Sequence, residues 1–202
     1  MYTSLQGTTG KGRMQTRTQS AIRKLDFHFE NSPRRIVANR NCPEINLVGL
    51  SIGPLEEGND YEIHYWVAAE LEKSGIAHFR EDEKLNMNIL NKIHWTERVQ
   101  TVGQISKLPD EFYPKLRRLI SELENEPNKG SERILEQEKT RHLARDIVNS
   151  RLRKIISIAS APAQTEQILK NLTGEERFLY GRLYRFINEW RTQILEERSV
   201  EE

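Results

Sequence analysis

The stretch from Ser131 to Ala161, SERILEQEKTRHLARDIVNSRLRKIISIASA, carries one uninterrupted helical period and constrains the fold more than any other segment. Apolar side chains recur at Ile134, Leu135, Leu143, Ile147, Leu152, Ile155, Ile156 and Ala159, the spacing of a helix that buries one stripe. Ser131 is a suitable N-cap, Glu132 puts an acid in the first turn where the helix dipole favours it, and Pro162 brings the helix to a stop. Roughly 30 residues make a rod about 45 Å long, more than a small core requires. Such a rod is expected to pack against other helices, of this chain or of another.

Its neighbours read the same way. LPDEFY is predicted as a helical turn and Pro114 to Asn125 as a helix with Leu116, Leu119, Ile120 and Leu123 inward, ended by Pro127, Asn128 and Gly130. TEQILKNL is predicted to add two turns, and Thr173 with Glu176 forms a capping box that opens a last helix from Gly174 to about Glu197. Leu179, Leu183, Phe186, Trp190 and Ile194 make one stripe on it, widened by Phe178, Tyr180, Tyr184 and Ile187. A helix so aromatic over so wide an arc is either central to its own domain or shared with a partner.

The first half differs. Basic residues outnumber acids up to Arg40, and the earliest part has almost no apolar side chains, so residues 1–21 are expected to be a disordered basic arm. It reads first as a solvated tail, with weak contact to DNA through Arg23, Lys24, Arg34 and Arg35 as the second reading; Met14 is an alternative initiation site. Leu25, Phe27 and Phe29 alternate with polar residues, the period of a half-buried strand. RRIVA, INLVGLSI (with Ile45, Leu47 and Val48 inward) and Tyr61 to Ile63 are further strand candidates around turns at Gly53-Pro54 and Gly58-Asn59. HYWVAAELEKSG is predicted as one short helix whose core anchor is Trp66, stopped at Gly75. A short helix is drawn around Leu85 to Ile93, weakened by Asn86, Asn88 and Asn91, and residues 101–107 serve as a connector. The fold class is therefore α+β: a small β-rich domain with one helix at residues 22–100, then an all-α helical bundle at 108–202.

Enzyme chemistry finds little support. His28, His64, His78, His94 and His142 show no metal-ligand spacing, and Cys42 has no partner cysteine. GTTGKG lacks the spacing and the flanking elements of a phosphate loop, and Glu81, Asp82 and Glu83 read as a solvated run. No catalytic residue, metal or cofactor is expected. The net charge of +1 gives no global argument for nucleic acid. The absence of a spanning apolar run and of a signal-peptide core leads us to expect an intracellular protein with no membrane partner.

The order of these segments carries a resemblance. INLVGLSIGPLEEGNDYEIHYWVAAELEKSG followed by LPDEFYPKLRRLI, RLRKIISIAS and NLTGEERFLYGRLYRFINEW resembles the GINS subunits whose small domain is N-terminal, over roughly Asp26 to Glu197. Pro114 and the basic arm depart from that pattern. The resemblance implies a non-catalytic scaffold subunit of a DNA replication complex, archaeal-like. Its partners would be a second GINS-type subunit in a heterotetramer with two copies of each, the MCM helicase, a RecJ-like replisome protein, and primase or DNA polymerase. Direct DNA contact would be weak or absent. The subunit-interface candidates are Phe112, Tyr113, Arg151, Ile155, Ile156, Tyr184, Trp190 and Ile194, with Arg151, Arg153 and Lys154 reading as arginines and lysine that snorkel at that interface. The alternative is a stand-alone DNA-binding protein using the arm and these basic helix residues.

Overall fold

The computed structural model describes residues 9–101, 104–125, 130–162 and 166–195. The chain divides into two compact units, Met1–Lys84 and Leu85–Glu202. Residues 1–8 of the expected arm lie outside the described residues.

The first unit opens with a helix, α1 (Thr9–Glu30), where a disordered arm and then a strand were expected. Ile22, Leu25 and Phe29 fit helical spacing as well as Leu25, Phe27 and Phe29 fit a strand, and packing decides between them. Phe29 is buried against Tyr65, ring centroids 4.5 Å apart, while Phe27 is left in solvent. The end of α1 is capped by side chains, Asn31 Nδ2 donating to the Phe27 carbonyl and Ser32 Oγ to that of Phe29. Three antiparallel strands follow in spatial order β4-β1-β5: β1 (Pro33–Ala38), β4 (Asp60–His64) and β5 (Ala77–Phe79). The run expected as one strand from Ile45 is a hairpin, β2 (Ile45–Leu47) and β3 (Leu50–Ile52), because Gly49 takes φ of 80° and turns the chain, leaving Val48 at the exposed tip.

Helix α2 (Tyr65–Lys73) covers the sheet with Val67, Ala68 and Leu71, joined in the core by Ile36, Ile63 and Phe79. Its stop follows the expected chemistry, Ser74 as C-cap and Gly75 at φ of 67°. Trp66 is not the anchor: its side chain is 44% exposed, one position off the buried face that Val67 and Leu71 define.

The second unit is a bundle of α3 (Met87–Val99), α4 (Phe112–Asn125), α5 (Ser131–Ser160), α6 (Glu166–Lys170) and α7 (Gly174–Leu195). α3 runs six residues past the expected end. Asn86 does not weaken it, because it is the N-cap and its Oδ1 accepts from the Ile89 N–H at 3.0 Å. α3 packs on α5, so it goes with the bundle rather than with the small domain. Pro114 is compatible with α4 because it is the third residue, where a backbone N–H has no intrahelical acceptor to lose. The connector is not a free linker: Ile105 is buried, and its carbonyl accepts from Asn171 Nδ2 at 2.9 Å. Phe112, Leu116, Ala144 and Ile147 form one core cluster with α3's Leu90 and Ile93, and Ile155, Ile158 and Leu172 form another.

Candidate functional site

Helix α7 carries a stripe of exposed apolar side chains. Arg151 meets Glu176 and the Ser160 carbonyl meets Arg191, so α5 and α7 lie alongside in the same sense. Leu179 and Leu183 of α7 pack on Ile155 and Ile158 of α5. Phe186, Trp190 and Ile194 continue that same face at helical spacing as α5 runs out, and they stand 68%, 57% and 62% exposed. A second stripe lies on α5 itself, where Val148, Leu152 and Ile156 recur every fourth residue and are all exposed.

Between the helices sits a closed ionic cluster. Arg151 is fully buried and clamps Glu176 through Nε to Oε1 at 2.7 Å and Nη2 to Oε2 at 2.6 Å. Its Nη1 donates to Glu97 Oε1 at 3.1 Å and to the Ser106 carbonyl at 2.7 Å. Lys154 Nζ donates to Glu97 Oε2 at 2.7 Å, Ser106 Oγ to Glu97 Oε1 at 2.7 Å, and the Tyr113 hydroxyl to Glu176 Oε1 at 2.8 Å. Two acids and two bases make the cluster neutral, which is what lets it be dry. Burial alone would raise the Glu97 carboxyl, but bonds from Lys154 and Ser106 and the charge of Arg151 outweigh it and hold the group below its ordinary range. Burial, then the negative charge of Glu176, pushes the Tyr113 hydroxyl up. Arg151 would be lowered by burial, yet its bond to Glu176 keeps it above its ordinary value.

These positions sort the sequence candidates. Phe112, Arg151 and Ile155 are buried inside the chain and Tyr113 is tied to Glu176, so none of the four offers surface to another subunit. Ile156, Trp190 and Ile194 are exposed, and Tyr184 is half-buried and stacked on Tyr180. Arg151 and Lys154 do not snorkel, since both are locked into ion pairs; Arg153 alone of the three points outward. Of the basic candidates, Arg23 and Lys24 are exposed on α1. Arg34 lies 4.6 Å from the Phe29 ring centroid and near Glu83, and Arg35 pairs with Asp82, so these two are committed within the small unit. Among the described residues no group of His, Cys, Asp and Glu could hold a metal ion, and no helix is long and apolar enough to cross a membrane.

A family model, the GINS complex protein helical bundle domain, matches residues 84–195, more than half of the chain. The chain belongs to the GINS complex proteins. No curated protein matches the chain. The GINS bundle so delimited begins at the border between the two compact units and takes in α3, whose Glu97 supplies the cluster's second acid. A GINS protein is a subunit of a DNA replication complex, and here the small sheet unit precedes the bundle as the segment order suggested. Sequence reasoning missed Glu97 and read Glu176 only as a capping residue. Glu176 does both, its Oε2 accepting from the Thr173 N–H at 3.0 Å as well as from Arg151. An acid at a helix start facing an arginine on an apolar stripe was the available signal.

Proposed function

We propose that this chain is a non-catalytic scaffold subunit that assembles through its bundle with a second GINS-type subunit, two copies of each, and from that assembly links the MCM helicase to other replisome proteins. The RecJ-like protein and primase or DNA polymerase are the further partners of this reading, and cytoplasm with nucleoid association is the expected place. The observation that carries it is the stripe Phe186, Trp190 and Ile194, apolar surface on a helix whose earlier turns are packed like a core. Interfaces of permanent complexes look like a domain core cut in half, with aromatic anchors. The DNA-binding alternative is weakened because Arg34, Arg35, Arg151 and Lys154 are already paired with acids.

The test is mass in solution by light scattering. The chain alone should self-associate, and mixing with a second GINS-type subunit should give one species with two copies of each. A monodisperse monomer that gains no mass on mixing would sink the proposal.

A further inference from the structure

Two apolar ridges stand open on neighbouring helices, displaced from one another along the bundle. Phe186, Trp190 and Ile194 lie on α7 and Val148, Leu152 and Ile156 on α5, each a row of side chains four residues apart. Rows of that spacing are the ridges that fit into one another's grooves in the commonest class of helix packing. Within one chain they cannot meet. α5 and α7 run in the same sense: Arg151 lies beside Glu176, and Ser160, the last residue of α5, meets Arg191. The α7 ridge therefore sits at and beyond the end of α5, while the α5 ridge lies further back, level with the start of α7.

A second copy turned end for end satisfies both ridges. The two-fold axis then passes near the C-terminal end of α5, and each helix runs antiparallel to its counterpart. The α7 ridge of one copy faces the α5 ridge of the other, with Trp190 opposite Leu152 at the middle, and the same contact recurs across the axis. Such an isologous contact closes on itself as a dimer. Area separates it from the pairing of two α7 ridges. Partly exposed side chains of this size offer on the order of 100 Å² each. The reciprocal contact, using both ridges of both copies, thus buries about 1,200 Å² in all, and α7 against α7 about half that. A stable interface needs roughly 1,000 Å², which only the reciprocal contact reaches. Shape agrees, since the protruding Phe186 and Trp190 meet a flatter aliphatic row whose members are 39%, 38% and 43% exposed.

We propose that two copies of this chain meet each other through this reciprocal α5–α7 contact. The inference rests on the reading of the α7 stripe as an assembly surface and names its occupant, a second copy of the same chain, which leaves other surface of the bundle to the second GINS-type subunit.

The experiment is sedimentation velocity of the full chain alone over a range of concentrations. The wild-type chain should form one closed dimer. Trp190→Glu and Leu152→Lys should each weaken it at least about 100-fold, because each substitution strikes both symmetry-related contacts at their centre. Mixed in equal amounts, the two variants should recover a dimer within about tenfold of the wild-type affinity, since one contact keeps Trp190 on Leu152 and the other sets opposite charges face to face. Both side chains are exposed, so circular dichroism should show each variant folded. The inference is overturned if the wild-type chain stays monomeric at high concentration, if it grows into an open series of oligomers, if Leu152→Lys dimerises like wild type, or if the mixed variants fail to pair. Adding a second GINS-type subunit reads the scaffold assignment separately. A chain that is monomeric alone and gains mass on mixing keeps that assignment and overturns this one, and a chain that dimerises alone and gains none does the reverse.

Discussion

Replacing Glu176 with alanine tests whether the ionic cluster holds the bundle together. The carboxylate accepts two bonds from Arg151, one from Tyr113 and one from the Thr173 N–H, and it is 2% exposed. Without it, Arg151 stays buried with only Glu97, which Lys154 already shares, so one positive charge is left uncompensated in a dry site. Breaking a buried pair from one side costs about 3–5 kcal/mol, and loss of the capping box adds about 1 kcal/mol. Domains have only about 5–15 kcal/mol in total, so the variant should melt roughly 10–25 °C lower. Urea and thermal unfolding followed by far-ultraviolet circular dichroism measure this. The deciding control is Arg151→Met together with Glu176→Met, which leaves the neutral Glu97–Lys154 pair and should recover much of the loss, a coupling of about 2 kcal/mol or more. Single variants that each cost less than about 1 kcal/mol, or a double variant that costs their sum, would refute the reasoning.

Other outcomes follow from the same geometry. Trp190→Ala should leave the chain's own melt within about 1 kcal/mol, as expected for an exposed side chain, yet cost about 2 kcal/mol or more of assembly energy read from concentration-dependent mass; a large drop in the melt with assembly intact would place Trp190 in the core. Trp66→Ala should barely change the stability of the small unit, and unfolding of that unit would show the side chain to be an anchor after all. Because the Glu97 carboxyl is held low when folded, its contribution is present above the ordinary carboxylate value of about 4 and should be lost as pH falls below it. The Tyr113 hydroxyl is raised when folded, so its contribution is present below about pH 10 and lost as pH rises beyond that. Wild type should be the more stable of the two below about pH 10 and should lose that advantage over Tyr113→Phe as pH rises beyond it, and a difference that does not change with pH would exclude the assignment.

Periodicity made the bundle legible because α4, α5 and α7 each repeat apolar residues at helical spacing and carry recognisable stops and caps. The same rule misjudged faces. In α5 the periodic Ile134, Leu135, Leu152 and Ile156 are exposed, while Thr140, Arg151 and Lys154 turn inward, because ion pairing across helices can bury what hydropathy assigns to solvent. Short apolar runs were ambiguous for a different reason. Leu25 to Phe29 satisfied two periods at once, and only the seat of Phe29 on Tyr65 chose the helix. β5 was missed since three residues are too few to show alternation.

The buried cluster also bears on how such a chain can vary over generations. Glu97, Tyr113, Arg151 and Glu176 sit on four different helices and cannot be altered one at a time without stranding a charge or a hydroxyl where water does not reach. Drift at these positions must pass through a poorly folded intermediate or occur as paired changes, whereas Phe186, Trp190 and Ile194 are free to follow whatever surface they meet. The interior thus preserves a fixed helix register as an inherited constraint, and the outer turns of α7 can change partners' fit without renegotiating the fold.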